Sequence, residues 1–396
     1  MKYILPFVFL FVFQISVAQI YERVKQPPTP KEMEHFIAND LAQLENHKQK
    51  DWVKELALGR FVQSQKEFPK EIRNFSNLET LGITGFVKFQ NLSQELTYLK
   101  NLKNLYLDNL DFSIISKDVS RIKNLEKLRI GTYTDLSQPV ESGNLKSLKH
   151  LTISRLKNPN GENPNLQNVI LPVEIGKLEN LEELHVFYFL KKLPSGITGL
   201  PKLQVLNLRK NNLNSLPTEI AQLQNLKFLL LEENDFRTFP KEVYKLKNLE
   251  NIYLDQNNLT AIPPGIASMQ NLKQLSIARN KVSDQEFKNV LELKNLEVLA
   301  AGNNQISDLQ GIEKLQNLKN LYLDDNLLES NDLAPIYNLS NLETLFLRNN
   351  RITHFPKGIE KLKKLRELLV KGNPVSAEEL MRIRKLLPDT KIIVDY

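Results

Sequence analysis

Leucine returns through most of this chain at a fixed spacing, and that spacing constrains the fold more than any other feature. From Leu203 the pattern L-x-x-L-x-L-x-x-N-x-L occurs as Leu203, Leu206, Leu208, Asn211 and Leu213. It recurs as Leu226, Leu229, Leu231, Asn234 and Phe236, then as Leu249, Ile252, Leu254, Asn257 and Leu259, each copy 23 residues after the last. The series runs on from Leu272, Leu296, Leu318, Leu342 and Leu365, with the asparagine slot at Asn280, Asn304, Asn326, Asn350 and Asn373. Leu206 and Leu208, two apart, point to one face of a short strand, while Val205, Asn207 and Arg209 point to the other. One unit cannot bury that apolar face alone. Stacked units can, as a parallel sheet over a continuous core whose stability is a sum of unit and nearest-neighbour terms.

The asparagine column has a structural role, because a side-chain amide both donates and accepts and so can satisfy backbone groups where the strand turns out of the sheet. A second signature follows it, in Leu216-Pro217-x-x-Ile220-x-x-Leu223, Phe239-Pro240-x-x-Val243-x-x-Leu246, Ile262-Pro263-x-x-Ile266-x-x-Met269 and Phe355-Pro356-x-x-Ile359-x-x-Leu362. Proline is compatible with an irregular return segment that makes no ladder hydrogen bonds. Weaker copies start at Leu78, Leu102, Leu125, Leu148 and Leu181; Phe86, Leu110, Tyr133, Leu156 and Phe189 stand where asparagine would be. This predicts about thirteen units, the first five degenerate. The long step from Leu148 to Leu181 places an insertion near 158–168, in the polar, turn-forming run Asn158 to Asn165.

A repeat of about 20 to 29 residues with this spacing resembles the leucine-rich repeat family. The resemblance covers roughly residues 71–375 and implies an α/β solenoid, a horseshoe with a parallel β-sheet on its concave face. The L-P-x-x-I-x-x-L segment is similar to that of bacterial secreted members and of the Ras-suppressor type of intracellular repeat protein. The resemblance further implies recognition rather than chemistry, since members act as adhesins, receptors, inhibitors and scaffolds.

Residues 1–18 read as a secretory signal: Met1 and Lys2, an apolar run from Tyr3 to Phe13, and small residues at Ser16 and Ala18 before a cleavage point after Ala18. An uncleaved anchor is the alternative, although the apolar run is shorter than the roughly 20 residues that span a bilayer. No stable membrane span is expected after cleavage, and a secreted or periplasmic bacterial-envelope location follows. Residues 19–70 are expected to hold a linker at Gln26 to Pro30 and a helical N-terminal cap, because Met33, Phe36, Ile37, Leu41, Leu44, Trp52 and Leu56 recur at roughly helical spacing, with Trp52 in the core. Residues 376–396 are expected to form a helix–strand C-terminal cap: Ser376 to Glu379 is a capping-box pattern, Pro388 stops the helix, and Lys391 to Tyr396 reads as a strand.

The chain has no cysteine, which excludes disulfides, thiolate ligands and a thiol nucleophile. No metalloprotease, nucleophile-elbow, phosphate-loop or dinucleotide motif is present, so no catalytic residues, no cofactor and no enzyme activity are predicted. His150, Glu183 and His185 fall on neighbouring outward strand positions, a chemistry that can bind a transition metal, but exposed polar neighbours are ordinary and no metal site is assigned. Lysines and arginines number 53 against 46 acidic residues, and the lysines recur in the return segments rather than along one stripe, so nucleic acid is not an expected partner.

Register lets the outward positions be read across the sheet. They gather Phe228, Leu230, Tyr253, Glu232 and Asp255 in one cluster and Tyr322, Asp324, Phe346 and Arg348 in another, with Ser276, Ala278, Ala300 and Gly302 between them as a run of small residues with room for a protruding partner element. Aromatic anchors beside charges are what protein interfaces use. The reading is therefore a partner-binding face for another protein, whose own surface is locally basic. Carbohydrate or envelope polymer is the alternative ligand, since the same aromatics can stack on sugars.

Overall fold

In a computed structural model of the full chain, the residues described are 35–38, 41–48, 50–58, 68–87, 94–110, 119, 121–132, 145–155, 171, 173–188 and 190–394. The expected signal sequence at 1–18, the expected linker at Gln26 to Pro30 and the expected insertion near 158–168 lie outside them. The chain divides into two compact units, Met1–Gln167 and Asn168–Tyr396.

Six described strands of the first unit run parallel in chain order: β1 His35–Ala38, β2 Glu55–Leu58, β3 Thr80–Val87, β4 Asn104–Leu110, β5 Lys127–Thr132 and β6 His150–Arg155. The helical cap expected over the first repeat is replaced here by the sheet itself. Phe36 and Ile37 lie on β1 and Leu56 on β2, and the helix between them, Leu41–Asn46, is a turn and a half. The difference has a definite source. Val53, Leu56 and Leu58 repeat the V/L-x-x-L-x-L spacing of Leu78, Leu81 and Ile83, and all six are buried. Phe68-Pro69-x-x-Ile72-x-x-Phe75 repeats the return signature around a 3-10 turn at Lys70–Asn74. Two repeats therefore precede the first one read from the leucines. Trp52, expected in the core, is 55% exposed, because it closes a short 3-10 turn, Lys50–Trp52, ahead of the buried Val53.

The second unit has ten described strands, again parallel and in order: β7 Glu183–Phe187, β8 Val205–Asn207, β9 Phe228–Leu230, β10 Asn251–Tyr253, β11 Gln274–Ser276, β12 Val298–Ala300, β13 Asn320–Tyr322, β14 Thr344–Phe346, β15 Glu367–Leu369 and β16 Lys391–Ile393. Leu206, Leu229, Ile252, Leu275, Leu299, Leu321, Leu345 and Leu368 are all buried, one per strand from β8 to β15. Four return segments add a further buried residue, Ile197, Ile220, Val243 and Ile266, from a 3-10 turn that begins right after a proline. Proline suits that place because its fixed φ near −65° leads into the turn and its missing N–H is not needed there.

The asparagine column does what its chemistry predicts. Asn257 donates from Nδ2 to the carbonyls of Leu231 at 2.9 Å and Leu254 at 3.0 Å, and its Oδ1 accepts from the Phe236 N–H at 3.0 Å. Asn234, Asn280, Asn304, Asn326 and Asn350 repeat the arrangement. Each ties its own turn to the preceding repeat at two points. The residue before each asparagine is left-handed: Lys210, Glu233, Gln256, Arg279, Asn303, Asp325 and Asn349 have φ between 52° and 58°. A side chain in that region costs about 1 to 2 kcal/mol, and the three hydrogen bonds of the following asparagine hold it there. Where the asparagine is lost the strands grow. β3 to β6 run for 8, 7, 6 and 6 residues and β7 for 5, whereas β8 to β15 have 3 each. Without an amide to receive the outward turn, the backbone stays in the ladder for another turn's worth of bonds.

Two further columns run along the repeats. In most units a second asparagine precedes the first leucine and donates to a carbonyl one repeat back: Asn225 to Pro201 at 2.7 Å, Asn248 to Gln224 at 2.7 Å and Asn271 to Lys247 at 2.6 Å. Two residues on, acid and base alternate from repeat to repeat, pairing Lys103 with Glu79 at 2.9 Å, Lys149 with Glu126 at 3.1 Å, Lys273 with Glu250 at 2.8 Å and Lys319 with Glu297 at 2.6 Å. At the end of the chain a helix, Ala377–Leu386, starts at Ser376, whose hydroxyl accepts from the Glu379 N–H at 3.1 Å. Glu379 then takes the Phe355 N–H at 2.6 Å and pairs with Arg382 at 2.7 Å, while Arg382 donates to the Phe355 carbonyl at 2.5 Å. The expected helix and final strand, β16 beside β15, are both present. Among the described residues no helix is long and apolar enough to cross a membrane.

Candidate functional site

The outward face of the second unit is set by the register of its short strands. Leu230, Tyr253, Ser276, Ala300, Tyr322, Phe346 and Leu369 are successive register partners across β9 to β15. Tyr253 and Tyr322 are therefore three strands apart, about 14 Å along the sheet at the usual spacing. The nine residues singled out from sequence resolve into two separate groups. Phe228, Leu230, Tyr253, Glu232 and Asp255 form one and Tyr322, Asp324, Phe346 and Arg348 the other, and all nine side chains are half-buried.

The small residues between the groups are not an open trough. Ser276 is 2% and Ala300 7% exposed. Ser276 instead supports the first group: its hydroxyl donates to Asp255 Oδ1 at 2.5 Å, and the Ala278 N–H donates to the same oxygen at 2.9 Å. Asp324 makes the equivalent bond, accepting from the Arg348 N–H at 2.8 Å. Both aspartates thus cap the chain as it leaves the neighbouring strand, a role that a strand-facing pattern does not reveal. Tyr322 and Phe346 meet edge to face, with centroids 5.1 Å apart at 82°.

Electrostatics separates the two groups. In the second, the Arg348 guanidinium pairs with Asp325 at 2.8 Å and lies close to Asp324. Burial pushes Asp324 up to about 6, against the pull of the Arg348 N–H and charge. In the first, Arg209 donates both of its side-chain hydrogen bonds to Glu233, at 2.9 Å from Nε and 2.5 Å from Nη2, and acts on Glu232 only through its charge. Glu232 is left with Oε2 sealed from solvent and without a hydrogen-bond partner. Burial first, and then the neighbouring Asp255 charge, push Glu232 up to about 8; burial pushes Asp255 to about 6 in spite of its two donors, and burial with Glu232 beside it takes Tyr253 to about 12.

His185 Nε2 lies 3.4 Å from Glu183 Oε2, and among the described residues no three His, Asp or Glu side chains converge as metal ligands would. The lysines of the return segments, including Lys241, Lys245, Lys357 and Lys361, are exposed.

Comparison with known proteins places this geometry. A leucine-rich repeat region matches residues 195–321 and a leucine rich repeat matches 316–375. The solved structure of the Leptospira interrogans LRR protein LIC12759 is 34% identical, over 91% of this chain and 89% of that one, with a TM-score of 0.73. This chain is a leucine-rich repeat protein. Its solenoid also matches an internalin, InlF, from Listeria monocytogenes, at 23% identity over 89% and 92% of the two chains with a TM-score of 0.60. The Toll–Spätzle complex of Drosophila matches at 17% identity over 96% of this chain and 61% of that one, with a TM-score of 0.62. These last two show the fold alone. No curated protein matches this leucine-rich repeat protein.

Proposed function

We propose that this leucine-rich repeat protein is a secreted or periplasmic recognition module, without chemistry of its own, that binds another protein on the outward, concave face of its second unit. The observation that carries the reading is the pair of half-buried aromatic groups, Phe228, Leu230 and Tyr253 and then Tyr322 and Phe346, set on rigid strands with carboxylates beside them. Aromatic anchors on a scaffold that does not reorganise lose little entropy on binding. The fold supports it too, since the Toll structure of the same architecture is a complex with Spätzle. The carboxylates favour a partner with a locally basic surface. Sugar stacking is the weaker reading, because Tyr322 and Phe346 meet edge to face rather than presenting coplanar rings. Export is inferred from residues 1–18.

The test is affinity capture from the native surroundings by the full chain, beside a variant carrying Tyr253→Ala, Tyr322→Ala and Phe346→Ala. The expected result is a protein retained by the parent and lost by the folded variant. Equal capture by both would remove the face from consideration, and retention of a glycan in place of a protein would select the second reading.

A further inference from the structure

We propose that Glu232 is the acceptor for a single lysine ammonium group of the partner protein, with the lysine stem lying across Leu230 and the ring of Tyr253. The proposal rests on the reading above that the face binds a protein, and names the chemistry of one contact on it.

Three observations converge on this position. The first is the orphaned oxygen: Glu232 Oε2 is out of solvent and has no donor, a condition that is costly for a carboxylate unless a cation or proton is supplied. The second is local charge. Around Glu232 stand Arg209 from the preceding repeat, Glu233 on the same turn, and Asp255 with Tyr253 from the following repeat. Arg209 is bound to Glu233, which Lys210 also approaches at 3.7 Å. Asp255 is satisfied by uncharged donors, Ser276 and Ala278. Three carboxyls thus face two bases, and the missing charge is one. The equivalent aspartate in the second group, Asp324, accepts the Arg348 backbone N–H; Glu232 Oε2 feels the Arg209 charge but receives no donor.

The third observation is shape. Leu230 ends β9 and Glu232 follows two residues on, a separation of about 6.8 Å if the chain stays extended, close to the reach of a four-carbon lysine stem. Leu230 and Tyr253 are register partners, so they form one apolar floor leading to the carboxyl. An ammonium suits the site better than a guanidinium, because a guanidinium seeks two coplanar oxygens and the neighbouring Asp255 Oδ1 is already taken by Ser276 and Ala278, which leaves a single acceptor for a point charge. A divalent metal ion would need more ligands than converge here.

Cation binding favours the ionised carboxyl. With Glu232 raised to about 8 in the free protein, capture of an ammonium releases a proton, so affinity should rise from pH 6 to about pH 8 and level off beyond it.

The experiment measures binding of pentalysine, its Nε-acetylated form and pentaarginine to the full chain at low ionic strength, with Glu232→Gln and Glu297→Gln as variants and melting curves as a check on folding. The expected result is pentalysine binding that tightens from pH 6 to pH 8, falls at least about tenfold in Glu232→Gln, returns in part in Glu232→Asp, and is unchanged in Glu297→Gln. No pentalysine binding, equal binding by folded Glu232→Gln, equal binding of the acetylated peptide, or tighter binding of pentaarginine would each overturn the proposal. The face and the amine site fail separately. Loss of the native partner in the triple aromatic variant with pentalysine binding unmoved by Glu232→Gln removes the lysine contact and keeps the face.

Discussion

Replacing Asn257 by alanine tests the asparagine column where it is most regular. Asn257 is 7% exposed, and its three shortest side-chain hydrogen bonds satisfy the carbonyls of Leu231 and Leu254 and the N–H of Phe236. Alanine reaches none of them. Each buried backbone group left without a partner costs about 1 to 3 kcal/mol, and the left-handed Gln256, φ 53°, loses the bonds that hold it. Water entering from the rim recovers part of this, which leaves a loss of about 3 kcal/mol. The matched control is Asn271→Ala in the second column, where one exposed bond to the Lys247 carbonyl is removed and a loss below about 1 kcal/mol is expected. Urea titration followed by circular dichroism reads both. Hydrogen exchange should show the Asn257→Ala damage concentrated in the repeats on either side, as nearest-neighbour coupling requires. If Asn257→Ala costs no more than Asn271→Ala, the three bonds do not carry the turn and the account of the left-handed residues fails with it.

Other consequences can be checked on the same protein. Glu232→Gln should stabilise the fold at pH 9, on the order of 2 kcal/mol after discounting for the open face: a carboxyl raised from 4.5 to about 8 opposes folding above its unfolded value, so the advantage should vanish in melts run below pH 4.5. The reverse sign applies to Glu379, whose carboxyl is held below its ordinary value chiefly by the Arg382 hydrogen bond. Its contribution is present above about 4.5 and is lost as pH falls through the lower folded value, so exchange of helix Ala377–Leu386 should quicken in acid in the parent, and Glu379→Gln should show the fast exchange already at pH 7. Lys273→Glu would place three carboxylates in a row with Glu250 and Glu297; the melting temperature should drop and be largely restored by salt, and a drop indifferent to salt would refute the pairing.

Much of this protein was legible one repeat at a time. The leucine period dictates stacking because no single unit can bury its own apolar face, and stacking dictates register, so the outward row from Leu230 to Leu369 follows from counting. The asparagine column, the proline-led return segments and the closing helix and strand carry local chemistry with one outcome each. The alternating acid and base at Glu250, Lys273, Glu297 and Lys319 was equally legible, and so were Val53, Leu56 and Leu58, once they are set against Leu78 rather than against a helical wheel. What only the tertiary structure decided concerns groups whose partners come from the next repeat. The left-handed backbone at Lys210, Glu233 and Gln256 is imposed by bonds from the following asparagine, not by those residues' own preferences. Asp255 and Glu232 are both acids on one face. Their difference, one capped by Ser276 and Ala278 and the other left with a sealed, unpaired oxygen, arises from which side chains the adjacent strands bring within hydrogen-bond reach, a distance that spacing along a chain does not contain.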